Sequence, residues 1–443
     1  MSSVSLVYSV AVRGARAVAP LLGRLAAPFG EGGAKLARGI EARRGAADAL
    51  AAWGEGSRDP AHVCIWIHAP SVGEALAAEP VLEALRERHQ GLQVAFTHFS
   101  PSAEALASRS KADIATYLPW DVAMPIRRSL DGVRPDLLAF TRTEVWPVLA
   151  AEAAARHVPV ALIGAVVPPG AGRMRWPART LLRSTWARVS LACAVTDEDA
   201  QRLLRLGVPA EAVHVTGDPG IDSASGRAEA VDPSAPYLAP FHEEPRPTLV
   251  AGSTWPEDEA VLIPALAEVR RAVPDVRVIF APHEPTPSAV AGLLSRLQGL
   301  GWKCRPLSAV ESRGSPGDAA AIVVDRVGVL AHMYTVASVA YVGGGFGTQG
   351  LHSVLEPAAA RVPVTFGPRT ERAPAAAGLV AAGGGRVAGD AAALAAVLSE
   401  WLRRPDAKSD AAERALAYIV SHRGAAVRTA ELLDSLIHRR RPV

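Results

Sequence analysis

The chain has 443 residues, of which 49% are hydrophobic and 21% are charged. This composition is typical of a globular protein and excludes a disordered chain or a coiled coil. Domains of roughly 100–200 residues suggest two to four of them, most simply two. The 47 Lys and Arg residues against 44 Asp and Glu leave a net charge of only +3, whereas a chain that binds nucleic acid through most of its surface is usually more basic. We therefore expect no nucleic-acid partner.

The chain uses few lysines and few cysteines. Only four lysines occur, so almost all of its cationic side chains are arginines. The cysteines, Cys64, Cys193 and Cys304, are odd in number, far apart in the sequence and surrounded by apolar residues. This pattern argues against a disulfide framework or a cysteine-ligated zinc, and it fits a reducing compartment.

Residues 1–40 are predicted to form a helical segment close to a membrane. No run of 18 apolar residues occurs, so a spanning helix is not expected. Apolar stretches that reach Phe29 are interleaved with Arg13, Arg16 and Arg24, which fall within about 80° of one another on a helix. A basic stripe beside an apolar surface is typical of a helix in a membrane interface, here interrupted at Pro20. The alternative is an ordinary amphipathic helix packed on the protein.

Short apolar strands alternate with helical segments from residue 62 onward. Strands are predicted at His62–His68, Leu92–Thr97, Asp136–Phe140, Pro159–Gly164, Ser190–Val195 and Val213–Thr216. Helices are predicted at Glu74–His89, Ser102–Ser108, Pro147–Arg156 and Asp197–Leu206. Strand and helix in alternation indicate a parallel sheet covered by helices.

A proline-rich stretch, 225–247, separates this region from a second alternation and is predicted to be a linker. The second set of strands is predicted at Thr248–Ala251, Arg277–Phe280, Ala321–Val324, Ser338–Val342 and Val362–Phe366. The predicted organisation is a domain over 41–224, the linker, a domain over 248–408 and C-terminal helices over 409–443. We expect an α/β fold of two doubly wound, Rossmann-like domains facing a cleft, with ligands at the carboxyl ends of the strands.

Two motifs of the first half follow predicted strands. In H-A-P-S-V-G-E, His68 to Glu74, Ser71 is a plausible N-cap, and the Glu74 carboxylate could accept a proton from a substrate hydroxyl. The alternative is that Glu74 only complements the helix dipole. In T-R-T-E-V-W-P, Thr141 to Pro147, Arg142 and Glu144 lie at a strand end, or else mark a capped helix start.

Two motifs of the second half also stand at strand ends. A-G-S-T-W, Ala251 to Trp255, offers the backbone N–H groups and hydroxyls of Ser253 and Thr254 to an anion, or else simply caps a helix. In A-P-H-E-P, Ala281 to Pro285, His283 is flanked by proline. It could hydrogen-bond a nucleotide, although a lone histidine at a turn is more often structural.

A glycine-rich loop runs from Tyr341 to Pro357 and leads into a helix predicted to begin near His352. Such a loop cradles a phosphate with backbone donors and a positive helix end. Glu356 is predicted to share a helix face with His352 and to bind ribose hydroxyls. The match to G-x-G-x-x-G at Gly345–Gly350 is a weak dehydrogenase signal, because no acidic residue follows the next strand, Val362–Phe366.

Taken together, these motifs resemble the transferases of 3-deoxy-manno-octulosonic acid (Kdo) in lipopolysaccharide assembly. The family has W-I-H-A-x-S-V-G-E, here Trp66–Glu74, then Y-L-P-W-D, here Tyr117–Asp121, and T-E-x-W-P, here Thr143–Pro147. Its second half has G-S-T, here Gly252–Thr254, and a glycine run that leads to H-N-x-x-E-P, here His352–Pro357. The motifs occur in the family's order along nearly the whole chain.

The resemblance implies a glycosyltransferase of the GT-B type that moves Kdo from CMP-Kdo to a lipid A precursor, lipid IVA. Transfer would invert the anomeric centre and need no metal or other cofactor, at the cytoplasmic face of the inner membrane. Glu74 would be the general base and Glu144 a second catalytic carboxylate. The residues that would hold CMP-Kdo are Ser253, Thr254, Pro282, His283, Gly328, Val329, Leu330, Gly350, Leu351, His352, Ser353 and Glu356.

Several cationic residues of the family are missing here. Gly220 stands in the place of a lysine, Gly164–Pro168 replaces N-A-R-x-S, and Pro282–Glu284 replaces P-R-H. Arg142 replaces the first glutamate of E-T-E-x-W-P, and we hypothesise that it restores part of the lost charge. These departures leave two alternatives open: a related transferase with another donor or acceptor, and a non-catalytic descendant that binds a sugar or lipid.

Overall fold

The computed structural model describes residues 3–26, 30–104, 111–142, 144–371 and 373–440. Phe29, the second half of the predicted helix Ser102–Ser108, Thr143 and Arg441 lie outside these ranges. The chain divides into two compact units. Unit 1 consists of Met1–Ser223 and Arg423–Val443, and unit 2 of Ala224–His422.

Unit 1 contains an all-parallel sheet of seven strands in the order β3-β2-β1-β4-β5-β6-β7. Its strands are β1 Cys64–His68, β2 Gln93–His98, β3 Ile114–Tyr117, β4 Leu137–Thr141, β5 Val160–Ala165, β6 Val189–Ala194 and β7 Val213–Val215. Its helices are α1 Ser3–Ala26, α2 Gly30–Gly56, α3 Val72–Arg88, α4 Ala123–Val133, α5 Pro147–Ala155, α6 Ala178–Trp186 and α7 Asp197–Leu206. Helix α8, Pro219–Glu229, contains the boundary between the units.

Both faces of this sheet are covered, which explains the continuous apolar runs of its central strands. All five residues of β1 are buried. Trp66 packs into the core on one face with Phe140, whereas Ile65 and Ile67 pack into the core on the other face. The period of two along the strand therefore supplies side chains to both layers.

Unit 2 contains a second all-parallel sheet of seven strands, in the order β10-β11-β9-β8-β12-β13-β14. Its strands are β8 Thr248–Thr254, β9 Arg277–Pro282, β10 Cys304–Pro306, β11 Ala321–Val323, β12 Val339–Val342, β13 Val364–Phe366 and β14 Gly385–Val387. Its helices are α9 Ala239–Glu243, α10 Pro256–Ala272, α11 Pro287–Gly299, α12 Leu307–Arg313, α13 Leu330–Met333, α14 Leu355–Ala359, α15 Pro374–Ala382, α16 Ala391–Arg403 and α17 Pro405–Ser421. The last helix of the chain, α18 Ala425–Arg440, belongs to unit 1.

Three strands were not predicted from the sequence: β3, β10 and β14. All three lie at sheet edges. Their residues are only partly buried, because an edge strand is not covered like a central one and carries no apolar run. The periodicity and the hydrophobicity of the sequence therefore did not indicate strands β3, β10 and β14.

The ends of the predicted domains also differ from the structure. The stretch predicted as a linker, 225–247, contains the end of α8 and helix α9 and lies in unit 2. The C-terminal helices are divided, because α17 belongs to unit 2 and α18 to unit 1. Asp222 holds the start of α18, since its carboxylate accepts hydrogen bonds from the backbone N–H groups of Gly424 (2.6 Å) and Ala426 (2.9 Å).

Helix α1 contains the predicted arginine stripe but is not interrupted at Pro20. A proline removes one backbone hydrogen bond, and a helix can continue past it with a local distortion. Among the described residues, no helix is both long and apolar enough to cross a membrane. The exposed surface of α1 includes large apolar side chains: Val18, Leu21, Leu22 and Leu25 are 48%, 59%, 52% and 58% exposed.

A buried carboxylate, Asp121, joins α1 to the sheet layer. Its oxygens accept hydrogen bonds from the Tyr8 hydroxyl (2.9 Å) and from the backbone N–H groups of Val148 (3.0 Å) and Leu149 (2.8 Å). The last two are N–H groups of the first turn of α5, which have no partner within their own helix. Burial raises the pKa of Asp121 to about 6.

We predict that Asp121→Ala lowers the free energy of unfolding by about 3 kcal/mol, because three donors, two of them buried, lose their acceptor. Tyr8→Phe removes only one of these donors and should cost about 1 kcal/mol. Urea unfolding followed by circular dichroism at pH 7 measures both. A loss below about 0.5 kcal/mol for Asp121→Ala, the size of an ordinary surface substitution, would contradict this account.

Candidate active site

Two carboxylates lie at the carboxyl edge of the unit 1 sheet. Glu74 is in the first turn of α3, which follows β1, and Glu144 lies between β4 and α5. Strands β1 and β4 are parallel neighbours, with His68 paired to Phe140 at their ends. The chain order reverses between these strands, and such a switch point is where open α/β sheets bind ligands.

The two carboxylates interact electrostatically. Burial raises the pKa of Glu144 and the negative charge of Glu74 raises it further, while Arg173 and Arg43 act in the opposite direction. The Ser71 hydroxyl donates a hydrogen bond of 2.6 Å to Glu74 Oε2. Ser71 is the N-cap of α3 as predicted, but its hydroxyl orients the Glu74 carboxylate and makes no capping bond to the backbone.

Arg43, on α2, is a site residue that the sequence motifs did not reveal. Its guanidinium lies 3.4 Å from the ring centroid of Phe99 and 5.6 Å from that of Trp120. Burial lowers its pKa to about 10. A guanidinium stacked on aromatic rings keeps its charge while little exposed, so Arg43 brings a positive field to Glu144.

His68 fixes the loop that carries Glu144. Its Nε2 accepts a hydrogen bond from the Trp146 indole N–H (3.1 Å), and its Nδ1 bonds the Thr97 hydroxyl (3.1 Å). Burial lowers the pKa of His68 to about 3, so the ring is neutral and can accept. Trp146 is thereby held two residues from Glu144.

Arg142 is paired within unit 1. Its guanidinium contacts both carboxylate oxygens of Asp218, at 3.1 and 3.3 Å, and donates to the carbonyl of Gly164 at 3.2 Å. Asp218 also accepts from the backbone N–H of Gly220 (2.9 Å). The charge of Arg142 is therefore balanced locally, and its contribution to donor binding stays a prediction.

Three aromatic rings meet at the carboxyl edge of the unit 2 sheet. Trp255 follows β8, His283 follows β9 and His352 follows β12. The Trp255 indole N–H donates to His352 Nε2 (2.9 Å), and the His283 ring stacks on both, with centroids 4.6 and 4.3 Å away. Burial and the neighbouring His283 lower the pKa of His352 to about 4.

The Gly-Ser-Thr segment is not a turn that caps a helix, because β8 continues to Thr254 and Trp255 is the N-cap of α10. Ser253 has a φ of 52°, a left-handed conformation. The Thr254 hydroxyl is buried and donates to Glu259 (3.2 Å). The predicted helix-capping alternative is therefore wrong, and Thr254 points its hydroxyl into the unit.

Asp258 ties β8 to the glycine-rich loop and was not identified from the sequence. It is fully buried and accepts from the Tyr341 hydroxyl (2.8 Å) and from the backbone N–H groups of Gly344 (2.8 Å) and Trp255 (3.0 Å). Gly344 has a φ of 93° and a backbone neighbour, Gly350, where a Cβ would lie. Only glycine fits there.

The helix after this loop begins at Leu355, so the prediction of a start near His352 is wrong. His352 instead joins the aromatic cluster, and it shares no helix face with Glu356. The Ser353 hydroxyl accepts from the backbone N–H of Leu355 (3.3 Å). The Glu356 carboxylate pairs with Arg227 at 3.0 Å.

The remaining predicted donor residues lie at the same edge or close to it. Pro282 ends β9 beside Thr254. The segment Gly328–Leu330 precedes α13, and Leu330 packs where a Cβ on Gly252 would be, at the end of β8. Gly350 and Leu351 form the end of the glycine-rich loop, with Leu351 buried.

Comparisons with known proteins identify the family of this chain. A family model described as 3-deoxy-D-manno-octulosonic-acid transferase (kdotransferase) matches residues 39–223. A 3-deoxy-D-manno-octulosonic acid transferase of Bordetella pertussis is 31% identical over 393 residues, 86% of this chain and 89% of that protein. This chain belongs to the Kdo transferase family. A transferase of the same name from Haemophilus influenzae is 26% identical over 69% of this chain and 71% of its own length.

Solved structures show the same fold. A UDP-GlcNAc 2-epimerase from Neisseria meningitidis has a TM-score of 0.58 at 15% identity, covering 85% of this chain and all of its own. A glycosyltransferase from Rickettsia africae has a TM-score of 0.57 at 11% identity, covering 86% of this chain and all of its own. The predicted GT-B type α/β class is confirmed, and membership of the Kdo transferase family makes the protein a glycosyltransferase.

The Trp255 indole N–H donates to the Nε2 lone pair of His352 that a proton would occupy, so in this Kdo transferase the hydrogen bond forms only with the unprotonated ring. We predict that Trp255→Phe raises the pKa of His352 above about 4 while the ring stack is retained. An NMR titration of the histidine signals across pH 3–8 measures the pKa of His352. The signal that is missing from the spectrum of His352→Gln assigns this residue. An unchanged pKa would show that burial alone sets the value.

Proposed function

We propose that this Kdo transferase moves Kdo from CMP-Kdo to the lipid A precursor lipid IVA, with inversion and without a metal. The observation that carries the proposal is the pair of carboxylates, Glu74 and Glu144, at the switch point of the unit 1 sheet. An acceptor hydroxyl needs a base, and a Kdo transferase with a carboxylate base can activate its acceptor without a Lewis acid.

In the proposed step, Glu74 removes the proton from an acceptor hydroxyl while the hydroxyl oxygen attacks the anomeric carbon of Kdo. The bond between that carbon and the phosphate oxygen breaks, and CMP leaves with the electron pair. Attack on the face opposite to CMP inverts the centre. Ser71 supports this assignment because it fixes the direction of the Glu74 carboxylate.

Glu144 is the second carboxylate of the proposed step. Arg43 and Arg173 act on it electrostatically, so the acceptor side contains two negative and two positive groups. A carboxylate beside the reacting sugar stabilises the positive charge that develops as the bond to CMP lengthens.

The proposed donor site is the carboxyl edge of unit 2. Ring faces of the cluster formed by Trp255, His283 and His352 suit a nucleobase, and backbone N–H groups of a glycine-rich loop suit a phosphate. Because Thr254 and Glu356 are already engaged by Glu259 and Arg227, we propose that they act by shaping the site.

We further propose that the enzyme works at the cytoplasmic face of the inner membrane and contacts it through α1. Four large apolar side chains and the arginines of the stripe are exposed on this helix. Apolar residues beside arginines bind an anionic lipid surface by burial and by charge.

We predict that Glu74→Gln lowers kcat at least 100-fold while CMP still binds, because the amide has the shape of the carboxylate but cannot take the proton. The assay contains purified protein, CMP-Kdo, lipid IVA in detergent micelles and EDTA. Formation of the Kdo-modified lipid, followed by mass spectrometry, gives kcat. Wild type that needs an added metal, or that binds CMP but makes no Kdo-modified lipid, would refute the proposed reaction.

We predict that Arg142→Ala raises the KM for CMP-Kdo, because Asp218 then keeps an unbalanced negative charge beside Gly220, which stands in the place of a family lysine. Asp218→Asn in the same background should reverse the effect. If Arg142→Ala leaves the affinity for CMP-Kdo and the turnover unchanged, the charge of Arg142 has no role in donor binding.

A further inference from the structure

The glycine-rich loop after β12 packs directly on the residues that follow β13. A Cβ on Gly345 would lie 2.7 Å from the backbone of Gly367, and a Cβ on Gly367 would lie 2.6 Å from the carbonyl carbon of Gly345. Both positions therefore need glycine where the two backbones meet. Because β12 and β13 are parallel neighbours, this contact places Arg369 beside the loop at the carboxyl edge of the unit 2 sheet.

Arg369 binds the carbonyl groups of this loop. Its backbone N–H donates to the carbonyl of Gly345 at 3.0 Å, and its guanidinium Nη1 donates to the carbonyl of Gly347 at 2.8 Å. A guanidinium has five N–H donors, so the side chain keeps donors for a second acceptor. The side chain is exposed, and a ligand held by the loop can reach it.

Two N–H groups of the same loop have no protein acceptor. Gly345 and Gly347 are both buried, and within the described ranges neither backbone N–H donates a hydrogen bond. Buried backbone donors without an acceptor are rare in proteins. Successive N–H groups of a glycine-rich loop form a concave site for an oxyanion. These donors point to an anionic ligand independently of the guanidinium.

The charge of Arg369 has no acidic partner among the residues that the structure describes. Arg227 and Arg326 of the same unit each pair with a glutamate. The exposed Glu257 borders the loop, with its carboxyl carbon 3.8 Å from where a Cβ on Gly347 would lie, but it forms no ion pair with Arg369. The loop therefore combines unpaired N–H donors with an unbalanced positive charge, which suits a phosphate.

We propose that Arg369 binds the phosphate of the nucleotide donor, together with the N–H groups of Gly345 and Gly347. The inference rests on the proposed function for the identity of the donor, CMP-Kdo, and it adds a residue that none of the sequence motifs contains. A guanidinium on the departing phosphate stabilises the negative charge that CMP takes with it. Arg369 thus provides a cation for the leaving group in a chain that has Gly220 in the place of the family lysine.

Calorimetric titrations with CMP and with cytidine, which lacks the phosphate, test this contact. Arg369→Gln should weaken CMP binding at least about 10-fold, because the phosphate loses charge-assisted hydrogen bonds. The affinity for cytidine should stay as in wild type. An unchanged affinity for CMP, or an equal loss for CMP and cytidine, would overturn the proposal.

Phosphorus NMR of bound CMP distinguishes direct contact from a structural role of Arg369. With the protein saturated by CMP, the phosphorus signal should have a different chemical shift in Arg369→Gln than in wild type. An identical shift would show that the guanidinium does not touch the phosphate, and the proposal would then be wrong even if CMP binds more weakly.

Arg313→Gln is the matched control, because it removes the same charge from an exposed arginine of unit 2. Arg313 ends α12, which leads to the start of β11, so it lies at the opposite edge of the sheet. This variant should bind CMP and cytidine like wild type, with the same phosphorus shift. If Arg313→Gln weakens CMP binding as much as Arg369→Gln, the general charge of the unit explains the effect and the proposal fails.

These measurements need neither acceptor nor turnover, so they separate this inference from the proposed reaction. Binding of CMP that depends on Arg369, in a protein that forms no Kdo-modified lipid, would refute the reaction and support the phosphate contact. Formation of Kdo-modified lipid by wild type, with CMP binding that Arg369→Gln does not change, would overturn the contact and leave the proposed function in place.

Discussion

The parallel pairing of strands is the constraint on which the rest of the structure depends. In each sheet the backbone hydrogen bonds run between strands that point the same way, so all the loops that follow the strands leave at one edge. At that edge the chain order reverses between β1 and β4 and again between β8 and β12. The carboxylates stand beside the first reversal and the aromatic cluster beside the second. These residues are far apart in the sequence, and without the parallel pairing of the strands they would also be far apart in space.

The same local interaction holds a loop at each of these places. In unit 1 an indole N–H is donated to His68, and in unit 2 one is donated to His352. An imidazole nitrogen accepts a hydrogen bond only when it lacks a proton, and burial keeps both rings unprotonated at neutral pH. The two histidines are thus acceptors that fix tryptophans. In unit 2 the cost of burying an imidazole is offset by stacking on His283.

Much of this could be predicted from local pattern. Central strands show as apolar runs, and Glu74 is recognisable because a short motif follows a strand and opens a helix. Local sequence pattern did not reveal residues that act through a partner distant in the sequence. Arg43 looks like any arginine of a helix until Phe99 and Trp120 are placed against it. The start of α14 was misjudged because the segment before it follows contacts across the loop: the backbone N–H of His352 donates to the carbonyl of Gly343.

The sequence by itself determined the α/β class, the two units, the family and the carboxylate at the start of α3, because these depend on periodicity and on motifs of a few adjacent residues. Only the tertiary structure decided which charged side chains are neutralised by a partner of opposite charge. Arg142 is balanced by Asp218 and Glu356 by Arg227, whereas Arg13, Arg16 and Arg44 converge on one cavity. The reason is physical: a charge acts over a few ångströms, and the partners at that distance are set by the fold and not by neighbours in the chain.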